Sequence, residues 1–249
     1  MHPLPRFLII GAQKAGTSTL YASLSTHPEI EEAEKKELHF FDRHYADGIE
    51  SYRRKFPELE RGQITGEATP YYLFHPLAPE RVASTLPDVK LIAILRNPVE
   101  RAYSQYHSEV RKGFEDLPTF EEAIAAETGR LSGEREKITA DPAYDSYAWS
   151  HHSYLARGMY ADQLERWFEH FSREQFLVLR SEVLAKRPGR LLRRCEEFLG
   201  ISRGEAKRKR AGRRGHYEPM SEETRRRLEE FYEPHNRRLQ VLLNKNFQW

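Results

Sequence analysis

The chain has 249 residues, of which 39% are hydrophobic, 12% aromatic and 31% charged. This length and apolar content suffice for one large α/β domain and exclude a disordered chain or a disulfide-stapled miniprotein. The formal net charge of only +2 argues against a protein that coats nucleic acid, although cations crowd residues 203–227 and point to an anionic ligand.

Residues 7–10, FLII, are an apolar run closed by Gly11 and predict a buried parallel strand. Residues 17–25 then predict a helix, with Leu20 and Leu24 on one face and His27-Pro28 stopping it. A second run, VKLIAIL at 89–95, predicts a central strand that ends abruptly at Arg96-Asn97-Pro98, with a helix from about Val99. Residues 113–152 break this rhythm with polar turns around one helical piece, FEEAIAAE, and are expected to form an insertion or lid on the substrate side. An amphipathic helix over 159–171 presents Leu164, Trp167, Phe168 and Phe171, and FLVL at 176–179 is a third strand. Cys195 falls on the apolar side of a later helix; as the single cysteine it allows no internal disulfide. Ser221 is a suitable N-cap for a last helix over 222–243, with Glu222 and Glu223 in its first turn. Strands alternating with helices imply a parallel sheet wrapped by helices in a single domain, residues 1–249. FLII is far too short for a signal-peptide core or membrane span, so a cytoplasmic enzyme with no membrane segment is expected; the oligomeric state is open.

The turn GAQKAGT joins the first strand to its helix. Backbone amides of Lys14, Ala15, Gly16, Thr17, Ser18 and Thr19, with the Lys14 ammonium and three hydroxyls, suit a phosphate-like anion at the positive helix end. The spacing GxxxxGT approaches the nucleotide triphosphate loop, but Thr17 stands where that loop needs lysine. Arg96 likewise stands where such proteins place a magnesium-binding aspartate, so the anion is expected to be handled without metal. His151-His152 lacks a third ligand at metal-like spacing. After the second strand, Arg96, Arg101 and Ser104 could converge on a second phosphate. In KELHFFD, Glu37 and His39 would share one side of an extended segment, with Asp42 beyond them, and either could take a proton from an acceptor.

Taken in order, GAQKAGTSTL, KELHFFD, GEATPYYL, LRNPVERAYSQY and GRRGHYEP resemble the sulfotransferases that use 3′-phosphoadenosine-5′-phosphosulfate (PAPS), closest to the heparan-sulfate type and its bacterial relatives. The resemblance covers nearly the whole chain and is weakest across 113–152. It implies a three-layer α/β sandwich with about five parallel strands, a P-loop-like turn and a nucleotide across the C-terminal strand ends. It further implies that Lys14, Gly16, Thr17, Ser18 and Thr19 surround the 5′-phosphosulfate, with Lys14 near the bridging oxygen. Arg96 and Ser104 would hold the 3′-phosphate, and Arg213, Arg214 and Gly215 match a basic loop that closes over the nucleotide. The base would be Glu37, with His39 beside it. Product would be adenosine 3′,5′-bisphosphate (PAP), and the acceptor a hydroxyl, less readily an amine, of a carbohydrate or small metabolite. Two departures bear on the acceptor: Ala68 stands where the heparan-sulfate enzymes commonly carry lysine, and Ser18 where some carry arginine. Glu67 and Thr69 are further candidates for the acceptor pocket. The competing readings are a nucleotide-dependent kinase, which would need a GK[ST] turn and a magnesium carboxylate, and an inactive donor-binding regulator, which would be expected to have lost Lys14 or Glu37.

Overall fold

The computed structural model describes residues 2–209, 211 and 217–249. Along the chain the first elements are β1 (Phe7–Gly11), α1 (Thr17–Leu24), β2 (Ile30–Glu32), α2 (Ile49–Arg53), β3 (Ile64–Ala68), α3 (Ala78–Thr85) and β4 (Lys90–Leu95). There follow α4 (Pro98–Lys112), α5 (Phe120–Leu131), α6 (Glu134–Ala140), α7 (Tyr147–His151) and α8 (Tyr160–Phe168). β5 (Phe176–Arg180), α9 (Ser181–Lys186), α10 (Pro188–Leu199) and α11 (Glu222–Leu243) complete the series. The chain packs as two compact units, one of Met1–Leu95 and Trp167–Gly212, the other of Arg96–Arg166 and Arg213–Trp249.

The first unit holds the whole sheet. Its five strands run in the order β2-β3-β1-β4-β5, and every pairing is parallel. This is the expected α/β class. β1 and β4 are central, which is why they read as unbroken apolar runs; all of β1 is buried. From β1 the chain crosses to the edge strand β2, returns to β3 beside β1, and then passes to β4 and β5 on the other side of β1, so the direction of winding changes next to β1. In open α/β sheets that reversal marks the crevice where ligands bind, beyond the carboxyl ends of the strands. Between Ile9 and Gly11 the register against β4 shifts, Ile9 facing Ile92 and Gly11 facing Ala93. This bulge lies where β1 gives way to the turn before α1, a common place to re-aim a backbone.

β2 and β3 lack an apolar run. β3 reads ITGEA: Gly66 lies under the Phe7 ring, where an added Cβ would come within 2.5 Å, and Glu67 is wholly buried. On the other side of the chain order, α10 buries Leu191, Leu192, Cys195 and Leu199. Burial pushes the Cys195 thiol up to about 12, so it is held as an inert thiol.

The second unit is helical. Asn97 caps α4 by accepting from the amides of Val99 and Glu100, and Gly113 ends it in the left-handed region. The stretch 113–152 contains three helices where the sequence signals one. The piece at 120–127 extends to Leu131 from the Thr119 cap, and Ser146 caps α7 through the Trp149 amide. Its buried side includes Phe120 and Ala123, which join Val99, Tyr106, Tyr154 and Tyr232 in one core. α8 stops at Phe168, short of the expected residue 171; Leu164, Trp167 and Phe171 are buried and Phe168 is half-buried. α11 spans the expected residues, with Ser221 accepting from the Thr224 amide. No helix among the described residues is long and apolar enough to cross a membrane.

Candidate active site

The turn after β1 is built from left-handed residues. Lys14 lies at φ 67° and Gly16, the N-cap of α1, at φ 99°, a conformation that side chains other than glycine adopt at a cost. Ala15 is buried, and its amide closes the turn on the Ala12 carbonyl at 3.1 Å. No side chain caps α1 and its first turn has no acidic residue, so no carboxylate of the helix itself competes for an anion there. Thr17 is buried and Ser18 half-buried at this helix start. The Thr19 hydroxyl, expected at the phosphate, is engaged elsewhere: it lies 3.0 Å from the Ala211 carbonyl and 3.4 Å from the Ala211 amide. Any role of Thr19 in the turn therefore falls to its backbone.

The segment with Glu37 and His39 is not extended as expected. Both residues are left-handed, at φ 64° and 55°, a strain of order 1 kcal/mol or more each for residues with a side chain. What holds the strained hook is the end of β3. The Glu37 amide donates to the Ala68 carbonyl at 3.2 Å, and the Phe40 amide to the Tyr72 hydroxyl at 2.9 Å. The His39 amide reaches the Thr69 hydroxyl at 3.5 Å. Both hydroxyls in turn donate to the Glu67 carboxylate, Thr69 at 2.7 Å and Tyr72 at 2.9 Å, and Tyr52 donates a third at 2.7 Å. Arg81 secures the far side of the hook, donating to the Phe41 carbonyl at 2.9 Å.

Glu67 and Thr69, expected in an acceptor pocket, are thus fully buried in this lattice of hydroxyls and support the hook from beneath. Burial raises the Glu67 carboxyl above its ordinary range, against the three donors that pull it down. Tyr52, Tyr72 and Arg81 were not singled out by sequence; a lone carboxylate ending an otherwise uncharged strand was the available signal.

Within the hook, His39 Nδ1 lies 2.6 Å from Asp42 Oδ2 and its Nε2 lies 3.7 Å from Glu37 Oε2. The Lys36 ammonium pairs with the other Glu37 oxygen. Burial disfavours charge on both partners, but the pairings prevail. His39 is raised to about 9 by Asp42 and Glu37, and Glu37 is lowered to about 2 by His39 and Lys36. The Asp42 side chain, expected to meet the acceptor, is instead wholly buried and orients the imidazole. The Glu37 side chain is 42% exposed and His39 21%, so these two face outward while their supports do not.

In the second unit, Arg96 and Ser104 are both half-buried near the start of α4. Arg96 Nη2 lies 3.6 Å from Glu100, whose other oxygen meets Arg225 at 2.8 Å. Tyr160 fixes the Arg96 backbone, donating to its carbonyl at 2.8 Å. Arg101 does not converge with them: it is fully buried, donating to Gln105 at 2.8 Å and to the Tyr154 carbonyl. Its place on α4 puts it on the stripe of Gln105 and Ser108, three and four residues apart, which faces the interior. Arg213, Arg214 and Gly215 lie outside the described residues.

Among the described residues no group of histidine, cysteine and carboxylate side chains is arranged to hold a metal. His151 Nδ1 is 2.9 Å from Glu109, His152 Nε2 is 2.9 Å from the Phe114 carbonyl, and His107 stacks on Tyr217.

Comparison with known proteins agrees with this architecture. Residues 4–238 match the sulfotransferase domain family. The membrane-associated sulfotransferase kil1 of Dictyostelium discoideum is 30% identical over 99% of this chain and 66% of its own length. Mouse heparan sulfate glucosamine 3-O-sulfotransferase 3B1 is 34% identical over 99% of this chain and 65% of its own. The chain therefore spans about two thirds of the length of these curated relatives. The crystal structure of a sulfotransferase from Alicyclobacillus acidocaldarius aligns with a TM-score of 0.77 at 32% identity, covering 98% of each chain. With its sheet order, its strand-to-helix turn and this match over most of its length, the chain belongs to the family of PAPS-dependent sulfotransferases.

Proposed function

We propose that the chain transfers a sulfuryl group from PAPS to a hydroxyl of a carbohydrate or small metabolite, an amine being the poorer fit. The observation that carries this is the Glu37, His39 and Asp42 array: a half-exposed carboxylate kept ionised beside a charged imidazole, in the same unit as an anion-suited helix start. The donor residues fit the turn's chemistry, a lysine and an uncapped helix end answering a phosphosulfate.

The donor supplies an activated sulfur whose bond to the bridging oxygen breaks as the acceptor oxygen bonds to it. Lys14 places its charge where that bridging oxygen becomes anionic. Glu37 takes the acceptor's proton, and an acceptor that displaces Lys36 from the carboxylate would raise its basicity toward the ordinary range. His39, locked by Asp42, holds Glu37 in register. The amides of Lys14 to Thr19 hold the 5′-phosphate, and Arg96 and Ser104 the 3′-phosphate.

A kinase reading is disfavoured by Thr17 at the lysine position of a triphosphate loop, and an inactive regulator by the presence of both Lys14 and Glu37. The deciding experiment incubates the protein with PAPS and a panel of glycan and small hydroxyl acceptors. Release of PAP only when acceptor is present supports the proposal, whereas tight ATP·Mg binding with phosphate release sinks it. Arg96→Ala is expected to weaken PAP binding about tenfold or more by calorimetry, through loss of a charge-assisted bond. Unchanged PAP affinity would remove Arg96 from the 3′-phosphate.

A further inference from the structure

A carboxylate stands beside the arginine read as the 3′-phosphate ligand. Glu100 and Ser104, four residues apart, share one face of α4, and Arg96 precedes the helix by two residues. Glu100 Oε2 lies 3.6 Å from Arg96 Nη2, while Glu100 Oε1 lies 2.8 Å from Arg225 Nη1 on α11. Only the second distance is within hydrogen-bond reach, so the carboxylate is bonded to Arg225 and borders Arg96. The side chains of Arg96, Glu100 and Arg225 are 27, 37 and 31% exposed, which leaves all three accessible to a ligand from solvent.

These residues all belong to the second unit, and each is carried by an anchored turn. Tyr160 donates to the Arg96 carbonyl at 2.8 Å, and the Asn97 side chain accepts from the Glu100 amide at 3.3 Å. Arg225 follows the buried Thr224, whose amide donates to the Ser221 hydroxyl at 3.1 Å and whose own hydroxyl donates to Glu121. As a partly exposed tie between α4 and α11, the Glu100–Arg225 pair would contribute little to stability, and its two members would matter equally. Proximity to Arg96 makes their roles unequal. A carboxylate there competes for the guanidinium and repels an entering phosphate, so it favours donor binding only while another cation holds it.

We infer that Arg225 is a positioning residue for the donor: by holding the Glu100 carboxylate it keeps the Arg96 guanidinium available to the 3′-phosphate of PAPS. The inference rests on the reading that Arg96 and Ser104 hold that phosphate. Arg225 acts through Glu100 and does not itself touch the nucleotide. Its removal releases Glu100 onto Arg96, which then meets the donor already paired with a carboxylate.

The test is a double-mutant cycle read by calorimetric titration of the intact protein with PAP. Arg225→Ala is expected to lower PAP affinity about three- to tenfold, whereas Glu100→Gln leaves it unchanged or raises it by up to about threefold. Arg225→Ala/Glu100→Gln should return to the level of Glu100→Gln alone, because no charge remains for Arg225 to hold. Arg225→Lys, which keeps a cation, should retain most of the affinity. In steady-state assays Arg225→Ala should raise KM for PAPS and leave kcat near that of the wild type. Unchanged affinity in Arg225→Ala, or similar losses from both single variants, overturns the inference in favour of a plain helix tie. A loss that persists in the double variant also overturns it, since Arg225 would then contact the phosphate directly. Arg96→Ala separates this inference from the reading beneath it. Unchanged PAP affinity in that variant removes the 3′-phosphate from Arg96, whereas a weakened Arg96→Ala beside a normal Arg225→Ala removes only Arg225.

Discussion

Lys14→Ala is expected to lower turnover by about two to three orders of magnitude while the fold and acceptor binding persist. A single preorganised charge at a developing oxyanion contributes roughly 3–4 kcal/mol to the transition state, and more of it is expressed there than in the ground state. The left-handed backbone at Lys14 directs where that charge can go, and the following Gly16 allows α1 to start immediately behind it. Single-turnover assays with saturating PAPS should therefore lose rate, with PAP affinity falling far less. Lys14→Arg keeps charge but alters reach, and partial recovery at most is expected, since guanidinium is a planar fork and ammonium a point donor. A Lys14→Ala enzyme within a few fold of wild type would remove the lysine from the leaving oxygen.

What sequence could reveal divides along a physical line. β1 and β4 were legible because a central parallel strand is buried on both faces and must be apolar, and β5, at the sheet edge, because residues 177–179 are buried there all the same. α1 and α11 were legible through periodicity and, for α11, the Ser221 cap. β3 was not, because its burial is met by non-local means. Gly66 makes room for Phe7, and Glu67 is tolerated in the core by hydroxyls of Tyr52 and Tyr72, fifteen residues before and five after it. The small helices of 113–152 were missed for the opposite reason, being short and held by caps at Thr119 and Ser146 instead of a long apolar stripe.

The same line runs through the site. Glu37 and His39 could be chosen by chemistry and by family resemblance, but their left-handed backbones could not, since these depend on bonds to Ala68, Thr69 and Tyr72. Residues that touch solvent were easier to nominate than residues that hold them. Asp42, Glu67 and Thr69 have the composition of an acceptor pocket and the burial of a foundation. Arg101 shows the converse error: three residues from Ser104 on a helix, it could face either way, and the interior's carbonyl of Tyr154 claims it.

Glu37→Gln is expected to reduce turnover by about 10²–10⁴-fold, the usual contribution of a positioned general base, with PAP affinity unchanged. The amide can still accept from Lys36, so the hook should persist, with melting lowered by the loss of the ionic pairing to His39 and Lys36. The pH dependence separates Glu37 from its support. Glu37, lowered to about 2, is ionised across the working range; the stability it contributes is present above its ordinary value and is lost only as pH falls toward about 2. His39, raised to about 9, contributes stability that is complete below its ordinary value and lost as pH climbs through about 9. Asp42→Asn removes the closer of its two carboxylate partners, so the His39 titration followed by NMR should fall toward the ordinary histidine range. Any alkaline limb of the rate profile set by His39 should fall with it, while the acid side is unaltered. Glu37→Gln, in contrast, should depress the rate at every pH without restoring it at either end. If Glu37→Gln retained most of its turnover, the proton would have to leave by another group, and the strained hook that β3 supports would have lost its chemical reason.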